Sequence, residues 1–259
     1  MQICVLGGDV RMDHVAAALQ KRGHLVTRTD QNQPGEVLIL PIRYTTDGLH
    51  VSGTRVAVHD AIGQRRLIFG GLPPAQAPLA HVQNYAADEW LLQENARLTA
   101  EGAVVLLAGQ LDRALYGADI GVLGMGRIAT FLCRMLSALG ADVTVYARKE
   151  AALQMACEMG ARAVSLADTL PVAAVRDHDA LLNTVPSLIL GGELLSHSRP
   201  GLVYLELASA PGGIDRAAAE RMGVIYIDGQ GLPGKYAPRS AGELIAAYVS
   251  DYLTREEEL

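Results

Sequence analysis

The chain has 259 residues, enough for one large domain or for two domains of about half that size. No apolar run reaches the roughly 18 residues that a membrane-spanning helix needs. The strand-like start MQICVL has neither the basic stretch nor the cleavage site of an export signal. A net charge of −6 without a basic cluster argues against nucleic acid as a partner. We therefore expect a cytoplasmic protein that binds neither membranes nor nucleic acids.

The cysteines of the chain are Cys4, Cys133 and Cys157, and all of them lie in apolar contexts. None has a second cysteine or a histidine at the spacing of a metal-binding motif. We therefore expect buried, reduced thiols and no bound metal.

In the first half of the chain, short apolar runs alternate with helical patterns, which is typical of a parallel sheet covered by helices. A strand at Gln2–Leu6 leads through the turn Gly7-Gly8-Asp9 into a helix at Val10–Lys21. The remaining predicted elements are strands at Leu25–Thr29, Val37–Leu40, Arg66–Phe69 and Trp90–Gln93, a proline-rich break at Gly70–Pro74, and a long helix from Arg97 to Leu115.

A second and more regular series begins after Gly117. The predicted strands are Ile120–Leu123, Val143–Tyr146, Ala180–Asn183, Val203–Leu207 and Ile225–Asp228. The predicted helices are Ile128–Leu139, Ala151–Met159, Leu166–Val175, Asp215–Met222 and Ala241–Leu253. Both halves start with a strand, a glycine turn and a helix. The sequence therefore predicts an α/β protein of two doubly wound, Rossmann-like domains, whose parallel sheets face each other across a cleft and which the long helix joins.

The segment that follows the strand Ile120–Leu123 fits the pattern G-x-G-x-x-A of a nucleotide-binding turn. Gly124 permits a tight turn, Gly126 lets a pyrophosphate approach the backbone, and Ala129 lets the helix pack on the strand. The predicted cofactor contacts of this turn are Gly124, Met125, Gly126, Arg127 and Ile128. A glycine turn without a nucleotide is the alternative.

The end of the second strand distinguishes NADP from NAD. An NAD enzyme usually has an acid there for the ribose hydroxyls, whereas an NADP enzyme supplies cations for the 2′-phosphate. This chain has Ala147, Arg148 and Lys149 in that place and no acid. We therefore predict NADP rather than NAD, the alternative being that both cations only face solvent at a helix start.

Two further strand ends are predicted to contact the cofactor, because ligands of an open α/β sheet bind beyond the carboxyl ends of its strands. One is the turn Asn183-Thr184-Val185-Pro186, which would lie against the ribose and the nicotinamide. The other is the stretch of small residues around Ala208, which would leave space for the ring. For the first of these, a plain strand-ending turn is the alternative.

Several stretches together resemble one family, the NADP-binding A subunits of dipicolinate synthase, which make pyridine-2,6-dicarboxylate in spore-forming bacteria. The matching stretches are Gly7–Arg11, Leu40-Pro41, Thr45–Gly48, Thr99–Gly102, Leu123–Arg127, Asn183–Ser187, Leu207–Gly213 and Gly231–Pro238. The resemblance implies NADP-dependent oxidation of a dihydrodipicolinate-type ring. It also implies that the partner is a second, flavoprotein-like subunit, and we expect a homo-oligomer.

The chain departs from the family at identifiable places. Ala210 stands where the family has an arginine, Leu98 stands where it has a proline, and the segment between Asp47 and Leu67 is short. An NADP-dependent dehydrogenase of another small carboxylic acid therefore remains an alternative. A D-2-hydroxyacid dehydrogenase is less favoured because the last histidine, His197, comes before the final strands.

A dicarboxylate substrate needs cations or helix N-termini. The predicted substrate contacts are Gly8, Asp9, Arg11, Arg43, Thr45, Thr46 and Lys235. Asp9 also suits a helix cap, Arg11 an ordinary ion pair, and the two threonines a turn.

Glu101 is the predicted proton acceptor, with a first-turn acid favoured by the helix dipole as its alternative. No obvious acid–base pair accompanies it. A regulatory or scaffolding protein that binds a dinucleotide without catalysis therefore stays open. The predicted domains are a substrate domain at 1–96, a connecting helix at 97–116, an NADP-binding domain at 117–237 and a C-terminal helix at 238–259.

Overall fold

The computed structural model describes residues 1–63, 65–71, 82–166 and 169–257. The last three positions of the predicted break at Gly70–Pro74 lie outside these residues, as do the last two positions of the predicted C-terminal segment. The chain divides into two compact units. Unit 1 comprises Met1–Asn95 and Pro233–Leu259, and unit 2 comprises Ala96–Leu232.

The elements alternate between strand and helix along most of the chain. The strands are β1 (Gln2–Leu6), β2 (Leu25–Thr29), β3 (Val37–Ile39), β4 (Leu67–Gly70), β5 (Val82–Asn84), β6 (Asp119–Leu123), β7 (Asp142–Ala147), β8 (Arg162–Ser165), β9 (Ala180–Asn183), β10 (Val203–Glu206) and β11 (Ile225–Asp228). The helices are α1 (Val10–Lys21), α2 (Val58–Ile62), α3 (Glu89–Gln110), α4 (Arg127–Ala138), α5 (Glu150–Glu158), α6 (Val172–Arg176), α7 (Gly192–Leu195), α8 (Arg216–Arg221), α9 (Leu232–Tyr236) and α10 (Pro238–Glu257).

Unit 1 contains a parallel sheet in the order β2-β1-β3-β4-β5. The buried positions of its central strands are apolar, which is typical of a parallel sheet with both faces covered. Ile3 and Val5 pack with residues of α1 and α10 on one face. Cys4 and Leu6 face the other side, where they pack with Tyr44 and its neighbours.

Unit 2 contains a parallel sheet in the order β11-β10-β9-β6-β7-β8. Within this sheet the first strand in sequence, β6, is central. The chain continues outwards through β7 and β8 and then crosses back to β9 on the other side of β6. The strand order therefore reverses between β6 and β9, and such a reversal opens a crevice at the carboxyl ends of the two strands. Leu123 at the end of β6 is in register with Tyr146 on one side and with Asn183 on the other.

The fold class predicted from the sequence is confirmed, since both units are α/β with a parallel sheet. The predicted strand at Trp90–Gln93 is wrong, because these residues form the first turns of α3. The Asp88 carboxylate accepts a hydrogen bond from the Leu91 amide at 2.9 Å and thereby caps that helix.

Several shorter features were not foreseen. They are the elements β5, β8, α2, α7 and α9. The helix predicted at Leu166–Val175 starts only at Val172, after Pro171, which is suited to a helix start because it lacks an amide hydrogen. Cys4 and Cys133 are buried as expected, but Cys157 on α5 is exposed. Among the described helices, none combines the length and the apolar character that crossing a bilayer requires.

Candidate nucleotide-binding site

The chain makes a tight turn directly after β6. Gly124 has a φ of +92°, a conformation that side chains strongly disfavour. A Cβ atom at this position would lie 2.6 Å from the Thr184 hydroxyl oxygen and 2.8 Å from a Val185 methyl group. The Gly124 amide donates to the Tyr146 carbonyl at 2.9 Å, which fixes the turn against β7. Glycine is therefore required here, as the sequence predicted.

Helix α4 begins at this turn without a side-chain cap. Its N-cap residue is Gly126, no side chain accepts a hydrogen bond there, and its first turn contains no acid. A Cβ atom on Gly126 would meet nothing within 4 Å. The first amide groups of a helix lack partners within the helix and carry the positive end of its dipole. The start of α4 therefore presents open backbone donors to an anion.

The rest of α4 holds this turn against the sheet. Ala129 is fully buried in the core of unit 2, and Ile128 packs against the same core. Arg127 is exposed at the first helical position. The small side chain of Ala129 allows the close approach of helix and strand that keeps the turn in place.

A cavity of about 830 Å³ opens beside the turn. Its lining comes from the ends of β6, β7 and β9 and from the region of α7, and it includes Gly124, Met125, Gly126, Tyr146, Ala147, Arg148, Lys149, Val185, Glu193 and His197. Arg148 and Lys149 are exposed at its edge, and neither has a carboxylate partner among the described residues. A volume of this size suits a small organic ligand. Two cations therefore border the space that adjoins the bare helix start.

Tyr146 lines this cavity, and its hydroxyl is held by a buried histidine. Its hydroxyl lies 2.8 Å from Nε2 of His178, and both side chains are buried. Burial raises the pKa of the Tyr146 hydroxyl to about 12, against the attraction of Arg162. Burial also lowers the pKa of His178. Both groups are therefore neutral near pH 7, and the pair is a structural support that was not predicted from the sequence.

In the turn after β9, the side chains of Asn183 and Thr184 form hydrogen bonds with backbone groups. Thr184 donates from its hydroxyl to the Leu123 carbonyl at 2.7 Å and so connects this turn to the end of β6. Asn183 is fully buried, and its side chain bonds the Val185 backbone through both its oxygen and its nitrogen. Val185 lines the cavity and Pro186 is exposed. The structure thus brings this turn next to Gly124.

A buried carboxylate, that of Glu206, lies at the end of β10 beside Asn183. Its oxygens accept hydrogen bonds from the Asn183 side chain and from the Ala208 backbone amide. Ala208 was predicted to contact the cofactor, whereas Glu206 was not predicted. An acid inside the otherwise apolar segment Val203–Leu207 was the available signal.

The glycine turn of unit 1 is filled by other parts of unit 1. The Gly8 amide donates to the Ser52 carbonyl at 2.6 Å. Asp9 caps α1 by accepting from the Arg11 amide, and it also forms a two-point ion pair with the Arg11 guanidinium. Gly234 lies so close that a Cβ atom there would be 2.7 Å from Arg11 Nε. The cap and the ion pair, which were the alternatives for Asp9 and Arg11, are the contacts observed.

The other predicted substrate contacts differ in what they touch. Thr45 is buried and shapes a turn, because its hydroxyl donates to Asp47 and accepts from the Gly48 amide. Arg43, Thr46 and Lys235 are all exposed, with Thr46 next to Thr45 in the same loop and Lys235 on α9.

Glu101 lies on α3 and forms a hydrogen-bonded ion pair with Arg97 at 2.5 Å. Its predicted alternative role as a first-turn acid is wrong. The helix starts at Glu89 and not near Arg97, so Glu101 lies well inside it.

Reversed strand order, a glycine turn, an uncapped helix start and an adjoining cavity together define a dinucleotide-binding domain of the dehydrogenase type. Comparison with known proteins agrees. Residues 91–203 match the family model described as "D-isomer specific 2-hydroxyacid dehydrogenase, NAD binding domain". The chain is thus a dehydrogenase-like protein built for a nicotinamide dinucleotide.

The most informative relatives are components of dipicolinate synthase. The chain is 31% identical to the dipicolinate synthase A subunit of Bacillus subtilis (strain 168), over 98% of this chain and 96% of that protein. The crystal structure of the dipicolinate synthase A subunit from Bacillus halodurans superimposes with a TM-score of 0.84 at 25% identity and covers 97% of both chains. The crystal structure of the Bacillus subtilis protein also has a TM-score of 0.84, at 28% identity, over 100% of this chain and 97% of that one. The chain belongs to the family of dipicolinate synthase A subunits.

Proposed function

We propose that the chain catalyses NADP-dependent oxidation of a dihydrodipicolinate-type ring to pyridine-2,6-dicarboxylate. The observation that carries the redox part of this proposal is the uncapped start of α4 beside the cavity of unit 2. The dipicolinate part rests on the family to which the chain belongs. The ring loses a hydride to the nicotinamide and a proton to a base, so that one dihydro ring and NADP⁺ give one aromatic ring, NADPH and H⁺.

The cofactor would be held by residues of unit 2. The amides at the start of α4 would bind the pyrophosphate, and the turn after β9 would border the nicotinamide half. Arg148 and Lys149, which are exposed and lack an acidic partner among the described residues, would bind the 2′-phosphate. Because no carboxylate ends β7, we propose NADP in preference to NAD.

The substrate would be bound through its carboxylates. Arg43 and Lys235 of unit 1 are the proposed cationic contacts, with the Thr46 hydroxyl as a further donor. Arg11 would take part only by exchanging its pairing with Asp9. Glu101, which already accepts a hydrogen bond from Arg97, is the proposed proton acceptor.

A second protein component is part of the proposal, because the relative from Bacillus subtilis is by name one of the subunits of a synthase. The test is to mix the purified chain with NADP⁺ and dihydrodipicolinate, with and without the candidate partner, and to follow NADPH absorbance. Aromatic product together with NADPH supports the proposal. Nucleotide binding without turnover in either mixture would instead favour a non-catalytic binding protein.

The cofactor preference has its own test. We predict that Arg148→Ala weakens NADPH binding by about 1–3 kcal/mol and leaves NADH binding nearly unchanged, because only NADPH has the 2′-phosphate. Nucleotide fluorescence titrations measure both affinities. Arg134→Ala on the exposed face of α4, outside the lining of the cavity, is the matched control. Equal losses for the two nucleotides would show that Arg148 does not meet the phosphate.

A further inference from the structure

The Glu206 side chain is the most enclosed carboxylate in the described part of unit 2, with 1% of the residue exposed. One oxygen accepts from Asn183 Nδ2 at 2.7 Å and from the Ala208 amide at 3.1 Å. The other accepts from the Gly213 amide at 2.7 Å and from the Tyr204 hydroxyl at 3.1 Å. Each carboxylate oxygen therefore has two donors, which satisfies a buried charge without a cation.

These hydrogen bonds join two loops that are distant in sequence. Asn183 is the last residue of β9 and leads into the turn after it, and Ala208 and Gly213 both belong to the 207–213 loop after β10. The loops are also in close contact, since a Cβ atom on Gly213 would lie 2.3 Å from Asn183 Nδ2. The Glu206 side chain therefore holds these two loops at a fixed distance from each other.

The loops that Glu206 joins lie on one side of the glycine turn. In the strand order β10-β9-β6-β7, Arg148 and Lys149 follow β7 on the opposite side of β6. A dinucleotide crosses the carboxyl ends of such a sheet with its pyrophosphate at the central turn. If the adenosine end lies above β7, the nicotinamide end lies above β9 and β10.

From this arrangement we propose that Glu206 is a positioning residue that sets the shape of the nicotinamide end of the site. It acts by holding the 183–186 turn and the 207–213 loop together, without touching the nucleotide. This proposal rests on the proposed nucleotide-binding function and deepens it.

The charge of Glu206 matters as well as its shape. The orientation of the Asn183 amide is fixed, because its oxygen accepts from the Val185 amide and its nitrogen donates to the Val185 carbonyl. The nitrogen can therefore only donate towards position 206. Burial and the Glu206 charge raise the pKa of the Tyr204 hydroxyl, which also remains a donor. Only a side chain with acceptors alone satisfies all four groups, and glutamine would set its own NH₂ against one pair of donors.

The experiment compares two ligands that differ in the nicotinamide half. NADPH spans the whole site, whereas 2′,5′-ADP occupies only the adenosine end, and calorimetry gives both dissociation constants. We expect Glu206→Gln to weaken NADPH binding about 10-fold and to change 2′,5′-ADP binding less than about twofold. Retained 2′,5′-ADP binding also shows that unit 2 is folded.

A second variant keeps the test decisive. If Glu206→Gln does not fold, Tyr204→Phe removes one of the donors and is expected to weaken NADPH selectively, about threefold. Unchanged NADPH affinity in folded Glu206→Gln, or equal loss of both ligands, would overturn the proposal. Wild-type protein that binds neither ligand would instead overturn the nucleotide-binding function itself.

Discussion

The two units each lead a parallel strand through a glycine turn into a 12-residue helix, yet the two turns present different surfaces. At α1 the Asp9 carboxylate caps the helix and pairs with Arg11. The 51–54 segment packs onto the turn, with the Ser52 carbonyl accepting from Gly8. At α4 no side chain caps the helix, and a Cβ atom on Gly126 would project into open space.

The difference shows what a strand–glycine–helix pattern does and does not imply. The pattern by itself produces a helix start near the carboxyl end of a strand. Whether that start can bind an anion depends on what fills it. An acidic cap satisfies the first amides and adds a negative charge, whereas a glycine cap leaves the amides and the dipole available. The helix start after the glycine turn is open in unit 2 and filled in unit 1.

The largest expected effect comes from filling the open turn. We predict that Gly126→Ala lowers the affinity for NADPH at least 100-fold, about 2.7 kcal/mol, because the added methyl group stands where the pyrophosphate must approach. The free energy of unfolding should change by less than about 0.5 kcal/mol, since the Cβ meets nothing in the folded chain. Titration with NADPH and urea unfolding measure the two quantities.

Gly109→Ala is the matched control for this variant. Gly109 is an exposed glycine on α3 whose added Cβ also meets nothing within 4 Å. It should bind NADPH like the wild type. Wild-type affinity in Gly126→Ala would show that the nucleotide does not use this turn, and the contrast between the two units would lose its functional meaning.

A smaller effect is expected from opening the filled turn. We predict that Asp9→Ala costs unit 1 about 1 kcal/mol of unfolding free energy, because α1 loses its cap, and leaves the affinity for NADPH unchanged. Urea unfolding followed through Trp90, the only tryptophan of the chain, reports on unit 1. Asp251→Ala on the exposed face of α10 serves as the control and should not destabilise the unit. A loss of NADPH affinity in Asp9→Ala would contradict the assignment of nucleotide binding to unit 2.

The smallest expected effect is the pH dependence of the same cap. Burial opposes ionisation of Asp9, but hydrogen bonds from Arg11 and attraction by Arg11 and Arg28 outweigh it and lower the pKa of Asp9. A lowered pKa makes the cap fully stabilising above the ordinary value of about 4, and the contribution is lost as the pH falls through the lower, folded value.

The stability difference between wild type and Asp9→Ala should therefore be constant from pH 7 to 5 and should shrink towards pH 3. Asp9→Asn, which keeps a cap oxygen without a titrating charge, provides the reference. A difference that grows on acidification would contradict the stabilising role of the carboxylate.

Local patterns were sufficient for the central elements of both sheets. The bounds of β1, α1 and β9 agree with the sequence prediction, because apolar strands and flanking glycines mark them clearly. The prediction of a strand at Trp90–Gln93 was wrong because Trp90, Leu91 and Leu92 are residues that also suit a β-strand. The cap signal of Asp88 just before them indicated a helix and was overlooked.

Long-range contacts explain what the sequence could not show about the site. The partnership of Glu206 and Asn183 depends on the register of two parallel strands and on a loop that closes over them. The Ser52 carbonyl reaches the Gly8 amide from a segment with no regular pattern. The open turn after β6, in contrast, is encoded within a few residues and was predicted.

The path of the chain through the two units constrains how the protein is made. Ile245, Ala246 and Val249 of α10 complete the core around β1 and α1, although more than 200 residues separate them. All of unit 2 leaves the ribosome between these two pieces. Domains tend to fold as they emerge from the ribosome. Unit 2 can therefore complete its folding before unit 1, whose core requires the C-terminal helix α10.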